Sequence, residues 1–314
     1  MQKISFILFI GLLVSSCGFQ QSIVPLKSFD ELNYPYEVKK VRLKGDIEVA
    51  YADEGKGAQT IIFVHGLGSY MPAWKKNISV LKNDFRCIAI DLPGYGKSSK
   101  AKYDGSMQFY ARVLADFIDA LELHNVVVAG HSMGGQIGVV AALAYPDKID
   151  KLILAAPAGF ERFNKGQRQW FREVFTPDLV KLTPVEAIKS NLAFNFYDMP
   201  ADAEFMIKDR IEMRSAEDFG WYCYIIPENV KGMVDAPVFD HLKEIKQPVL
   251  TLFGKQDNLI PNRYLNGGAT EKYAKEGAEQ IPDCQLIMVD KAGHFVQFEQ
   301  PEIFNQAVKD FLKG

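Results

Sequence analysis

Cysteine is scarce in this chain: Cys17, Cys87, Cys223 and Cys284 in 314 residues, no two of them at C-x-x-C spacing. That excludes a disulfide framework and a thiolate zinc site, and no His/Cys pair has ligand spacing, so no metal is called for. Charge of one sign is equally lacking. Thirty-six Lys and Arg against 39 Asp and Glu give a net charge of −3 with no long single-sign run, which argues against a nucleic-acid partner. No apolar run reaches the twenty or so residues a helix needs to cross a hydrocarbon core. No Gly-x-Gly-x-x-Gly opens a helix after the first buried strand, so no dinucleotide cofactor is expected. Nothing in the sequence sets an oligomeric state. What remains, 48% hydrophobic and 24% charged, is the balance of a globular protein with one large core.

The N-terminus has its own grammar. Lys3 is followed by an apolar stretch from Ile4 to Val14 and then Ser15, Ser16 and Cys17. Eleven residues suit a signal peptide and are too few for a permanent span. Val14-Ser15-Ser16-Cys17 resembles the bacterial lipobox, which implies cleavage after residue 16 and lipidation of Cys17. The expected organisation is therefore a signal peptide over 1–16, a tether over 17–36, and an exported domain held at a membrane surface by its acyl chains.

From residue 37 onward strand-like and helix-like segments alternate. Val38–Leu43 and Ile47–Tyr51 read as a hairpin around Gly45-Asp46. Ile61–His65, Cys87–Leu92, Val126–Ala129, Leu152–Ala156, Val249–Phe253 and Leu286–Val289 are uninterrupted apolar runs, the mark of strands buried on both faces. Tyr110, Val113, Leu114, Phe117, Ile118 and Leu121 fall on one helical stripe, and Ile303–Leu312 reads as a terminal helix. The pattern predicts a doubly wound α/β fold with about eight mostly parallel strands, built from residues 37–159 and 236–314. Residues 160–235 break the alternation and read as an inserted helical cap divided by Pro177, Pro184, Pro200 and Pro227. They hold 13 aromatics in 76 positions, about 17% against 12% for the chain. Two thirds of those rings are expected to form the cap's own core, with Trp170 and Trp221 named as pocket residues.

Gly130-His131-Ser132-Met133-Gly134 follows one buried strand and opens a helix rich in small residues, which is the strand-turn-helix setting of Gly-x-Ser-x-Gly. The sharp turn projects the serine hydroxyl, and glycine on both sides lets the chains cross closely. With this motif, the chain resembles the α/β-hydrolase fold family from about Glu37 to Gly314. His65-Gly66-Leu67-Gly68 matches the family's oxyanion loop, and Asp91–Ser98 resembles the loop after its next strand. Gly254-Lys255-Gln256-Asp257 and Gly293-His294-Phe295 match its acid and histidine loops.

The resemblance implies Ser132 as nucleophile, His294 as base, Asp257 as orienting acid, and the Leu67 and Met133 amides as the oxyanion hole. Asp91 is the rival acid, its place before Pro93-Gly94 suiting a turn-stabilising carboxylate. Among the other histidines, His124 and His241 read as surface residues, His65 as a support beneath the oxyanion loop, and His131 as pointing away from Ser132. The expected activity is serine-dependent hydrolysis of a small apolar acyl or aryl ester, with no cofactor. The alternatives are a carbon-carbon bond hydrolase of aromatic ring-cleavage products, which the Ser-Met-Gly-Gly and Gly-His-Phe-Val-Gln-Phe-Glu segments resemble, and a cofactor-free haloperoxidase or perhydrolase. A non-enzymatic alternative is a ligand-binding surface lipoprotein that keeps the fold as scaffold.

Overall fold

The computed structural model describes residues 23–313 and gathers eight strands into one sheet. They are β1 Lys39–Arg42, β2 Glu48–Glu54, β3 Thr60–Val64, β4 Arg86–Ile90, β5 Val126–His131, β6 Lys151–Ala155, β7 Val249–Gly254 and β8 Cys284–Val289. Their order across the sheet is β1-β2-β4-β3-β5-β6-β7-β8. β2 pairs antiparallel with β1 and with β4, and every other pairing is parallel.

The uninterrupted apolar strands follow from burial on both faces. Ile62, Val64, Val126, Val128, Leu152 and Leu154 face one core, while Ile61, Phe63, Val127, Ala129, Ile153 and Ala155 alternate into the other. The covering helices are α1 Lys75–Leu81, α2 Met107–Ala120 and α3 Met133–Ala144 before the cap, and α9 Thr270–Ala278, α10 Val296–Glu299 and α11 Pro301–Lys313 after it. α2 buries Tyr110, Val113, Leu114, Phe117 and Ile118, the stripe legible in the sequence. Phe304, Val308 and Phe311 of α11 close the opposite face with Ile78 and Leu81 of α1.

Between β6 and β7 stand α4 Lys165–Val174, α5 Pro177–Lys181, α6 Val185–Ala193, α7 Glu204–Glu212 and α8 Phe219–Asp235. Three of the four prolines punctuate as expected. Pro177 occupies the first turn of α5 behind the Thr176 cap, Pro184 precedes α6, and Pro200 precedes the short turn Ala201–Ala203. Pro227 does not: it lies inside α8, which runs through it unbroken. An interior proline costs a helix about 3 kcal/mol. Burial of Tyr222, Ile225, Ile226 and Val230 around it offsets that, since each large apolar side chain is worth about 1.5–3 kcal/mol.

The segment 17–36 is described from residue 23 onward. Residues 23–36 are docked on the domain rather than loose. Val24 N donates to Glu212 Oε1 and Phe29 N to Asp218 Oδ2, both at 2.8 Å, while Tyr34 Oη donates to Asp91 Oδ2 at 2.7 Å. Phe29 and Leu32 are buried, and the Phe29 ring meets Tyr222 edge-on. These apolar side chains, set among polar neighbours, give the segment enough surface to bury. Among the described residues no helix is long and apolar enough to cross a membrane. Cys17 and the signal-peptide segment lie outside the described residues.

Candidate active site

Ser132 sits between the end of β5 and the start of α3 at φ 53° and ψ −117°, a left-handed conformation that a side-chain-bearing residue adopts only when its surroundings enforce it. The enforcement is visible. Ser132 N donates to Ala155 O at 3.0 Å, and the Ser132 carbonyl accepts from Gly135 N and Ala158 N. A Cβ at Gly130 would stand 2.3 Å from Gly134 O, and one at Gly134 would stand 2.3 Å from Val64 O, so both positions of the turn require glycine.

His294 follows β8 and is buried, as is Asp257, which follows β7. His294 Nδ1 donates to Asp257 Oδ2 at 2.8 Å. The other oxygen, Asp257 Oδ1, accepts from Leu259 N at 2.7 Å and Ile260 N at 3.1 Å, so the carboxylate is fixed in the plane it offers to the ring. With Nδ1 protonated, His294 Nε2 is the free acceptor. Ser132 and His294 line one cavity; no hydrogen bond joins Ser132 Oγ to His294 in this structure. The Leu67 and Met133 amides flank Ser132 from the β3 loop and the first turn of α3, and neither is tied to another acceptor among the described residues.

Asp91 is turned elsewhere. Its Oδ1 accepts from Met71 N, and its Oδ2 accepts from Lys97 N and the Tyr34 hydroxyl, leaving it fully buried and fully occupied. His65 accepts from Leu92 N at Nε2 and meets the Gly66 carbonyl through Nδ1, so it bridges the loops after β3 and β4; burial pushes its pKa down and keeps it neutral. His124 and His241 are exposed.

His131 lines the same cavity as Ser132 and is tied to His294. Its Nε2 donates to the His294 carbonyl at 3.0 Å, and its ring lies 4.9 Å from the His294 ring. Burial, and then the neighbouring His294, hold its pKa well below the usual imidazole value, so it meets the His294 carbonyl as a neutral donor.

Residues unmarked in the sequence lock the loops in place. Glu299 Oε2 accepts from Gly293 N at 2.7 Å, while its Oε1 accepts from Tyr197 N and Asp198 N of the cap. The cap's Asn195 carbonyl accepts from His294 N at 2.8 Å. Arg210 of α7 donates to the Gly68 carbonyl at 2.6 Å and stacks on Tyr222, pinning the loop after β3 to the cap. Apart from the Glu299–Gly293 contact, six residues apart within the Gly293–Glu299 segment, these contacts join segments far apart in the chain, and no spacing rule signals them.

The cavity has a volume of about 1140 Å3 and reaches from Ser132 and His294 up between the cap helices. Six of the cap's 13 aromatics line it: Phe163, Phe171, Phe175, Phe194, Phe219 and Tyr222. Trp170 and Trp221 do not; both are partly exposed on the outer surface, which corrects their nomination as pocket residues. Phe171→Ala is accordingly expected to change the ratio of kcat/KM between short and long acyl substrates by tenfold or more. Trp221→Ala should leave that ratio within about twofold, since a surface ring outside the cavity has no purchase on substrate length. A chain-length panel on both variants checks this, and equal ratios in both would count against the cavity as the specificity element.

The chain is 28% identical over 277 residues to a 2-hydroxy-6-oxononadienedioate/2-hydroxy-6-oxononatrienedioate hydrolase of Paraburkholderia phymatum, covering 85% of this chain and 91% of that protein. In three dimensions it is similar to a probable hydrolytic enzyme of Pseudomonas aeruginosa, with a TM-score of 0.81 at 25% identity over 93% of this chain and 99% of the other. It is also similar to a thermophilic esterase of Thermogutta terrifontis, with a TM-score of 0.69 at 26% identity over 88% of this chain and 98% of the other. The sequence pattern of the alpha/beta hydrolase fold matches residues 59–301, more than three quarters of the chain. This chain therefore belongs to the α/β-hydrolase fold family.

Proposed function

We propose that this α/β hydrolase is a serine hydrolase that cleaves carboxylic esters with an apolar acyl or aryl group through an acyl-enzyme. The observation that carries the reading is the joint opening of Ser132 and His294 into one large, mainly apolar cavity, with His294 held by buried Asp257. In the first step Ser132 Oγ attacks the substrate carbonyl while His294 Nε2 takes the hydroxyl proton. Asp257 keeps the proton on Nδ1 and stabilises the imidazolium that forms. The Leu67 and Met133 amides receive the developing oxyanion. His294 then protonates the leaving alcohol, and a water activated by the same ring releases the acid.

A second reading, hydrolysis of a carbon-carbon bond in a vinylogous diketone acid, draws support from the names of the curated relatives, which describe hydrolases of such dioates. A panel of short and long p-nitrophenyl esters run beside a vinylogous diketone acid separates the two. Fluorophosphonate labelling mapped to Ser132 supports both over a non-enzymatic binder, whereas folded protein that takes no label would rule both out.

We further propose that the enzyme is exported and lipid-anchored at Cys17, on the support of the lipobox-like residues 14–17 placed directly after the apolar run. Cys17→Ala is expected to move the protein from the membrane fraction to the soluble exported fraction or to stall its processing, because the acyl chains would be the anchor. Unchanged membrane partition, with no acyl mass on the wild-type N-terminal peptide, refutes it.

A further inference from the structure

Five charged side chains line the otherwise mainly apolar cavity, and four are accounted for. Glu161 accepts from Asn262 N and Asn266 Nδ2, Asp209 accepts from the Tyr70 hydroxyl, and Arg210 is committed to Gly68. Asp178 is exposed to water. The fifth, Arg168, has no side-chain hydrogen bond and no ion pair among the described residues, and its Nε is shut off from solvent without an acceptor. An unpaired guanidinium nitrogen in such a place is unfavourable, because burial removes its water and supplies nothing in return.

Its position on α4 makes the anomaly informative. Arg168, Phe171 and Phe175 stand at i, i+3 and i+7, and all three line the cavity, so the arginine occupies the inward stripe of the helix. The next arginine of α4, Arg172, faces outward and pairs with Asp235. Phe171 packs in a cluster that includes Leu67 of the oxyanion loop. Arg168 stands three residues, ~5 Å along the helix axis, before Phe171, and it lines the same cavity as Ser132 and His294.

We infer that Arg168 receives a carboxylate carried by the acyl part of the substrate, so that the cavity selects half-esters of dicarboxylic acids or similar acidic acyl compounds. The guanidinium is a planar fork whose N–H groups match the two oxygens of a carboxylate, and a charge-assisted contact in a cavity of low polarity is the strong kind. The substrate's anion would complete the hydrogen bonding that the protein leaves open at Nε. This inference rests on the serine-hydrolase reading and adds a substrate class to it.

The test uses p-nitrophenyl half-esters of four- to eight-carbon dicarboxylic acids against neutral p-nitrophenyl esters of equal acyl length, with wild type, Arg168→Gln and Arg168→Lys. The readout is the ratio of kcat/KM for the acidic over the neutral ester. Arg168→Gln is expected to lower that ratio about 10- to 100-fold at the best-fitting length, mainly through KM, and Arg168→Lys to restore part of it. A ratio unchanged within about twofold at every length overturns the inference and leaves Arg168 a packing stem. Thermal midpoints of the variants report folding separately. Calorimetric titration of the same free dicarboxylates into Ser132→Ala protein, with and without Arg168→Gln, reads the carboxylate contact without turnover. Loss of binding with Arg168→Gln supports the contact, and equal binding, or none to either protein, overturns it. Absence of Ser132 labelling and of all esterase turnover is the distinct failure of the serine-hydrolase reading.

Discussion

Ser132→Ala is expected to lower kcat about 10^6-fold, to the level that binding and oxyanion contacts alone sustain. The size of the effect follows from what the residue supplies. Water has to replace a hydroxyl positioned at φ 53° on a strained turn, in the cavity that His294 also lines and next to the uncommitted amide of Met133. Alanine tolerates the left-handed backbone about as well as serine does, and it keeps the backbone bonds to Ala155, Gly135 and Ala158 that set the turn. The variant should therefore match wild type in thermal midpoint while losing its fluorophosphonate label. Turnover retained above about one per cent in well-folded protein, far over what a disabled serine site sustains, would exclude Ser132 as the nucleophile.

Some of this site is legible in the sequence, for reasons that particular residues explain. Strand periodicity and burial are local, so Ile61–His65 and Val126–Ala129 announced the sheet, and the glycines around Ser132 announced a turn that tolerates no Cβ at 130 or 134. What stayed hidden is long-range. Nothing near Glu299 in the chain points to Tyr197 and Asp198, and nothing near Arg210 points to Gly68. The partner of Phe29, Tyr222, is nearly two hundred residues away, so the docking of residues 23–36 leaves no local signal. Pro227 reads as a divider on local propensity alone, and the tertiary burial around α8 overrides that propensity. Trp170 and Trp221 lie at the surface while Phe171 lines the cavity, a difference of helix orientation that the aromatic content of the cap does not carry.

The choice between two carboxylates is where sequence order and structure can be put to the same experiment. Asp91 and Asp257 both emerge at the carboxyl edge of the sheet, where doubly wound folds collect their functional groups. Their partners separate them. Asp257 offers one oxygen to His294 Nδ1 and is braced through the other by two backbone amides. Asp91 spends both oxygens on Met71, Lys97 and Tyr34, tying the loop after β4 to the start of the chain's described part. Asp257→Asn is expected to lower kcat by up to about 10^4-fold with the fold retained, because an amide can present its NH2 to the ring, favour the wrong tautomer and leave the imidazolium unstabilised. Asp91→Asn should leave kcat within about tenfold and act on stability instead, by roughly 1–3 kcal/mol, since an amide can still accept from one amide N–H but leaves a buried donor opposed. Stopped-assay kcat values and thermal midpoints for the two variants give four numbers. A greater loss of kcat in well-folded Asp91→Asn than in Asp257→Asn would assign the acid to the loop after β4 and reduce the contact at His294 Nδ1 to packing.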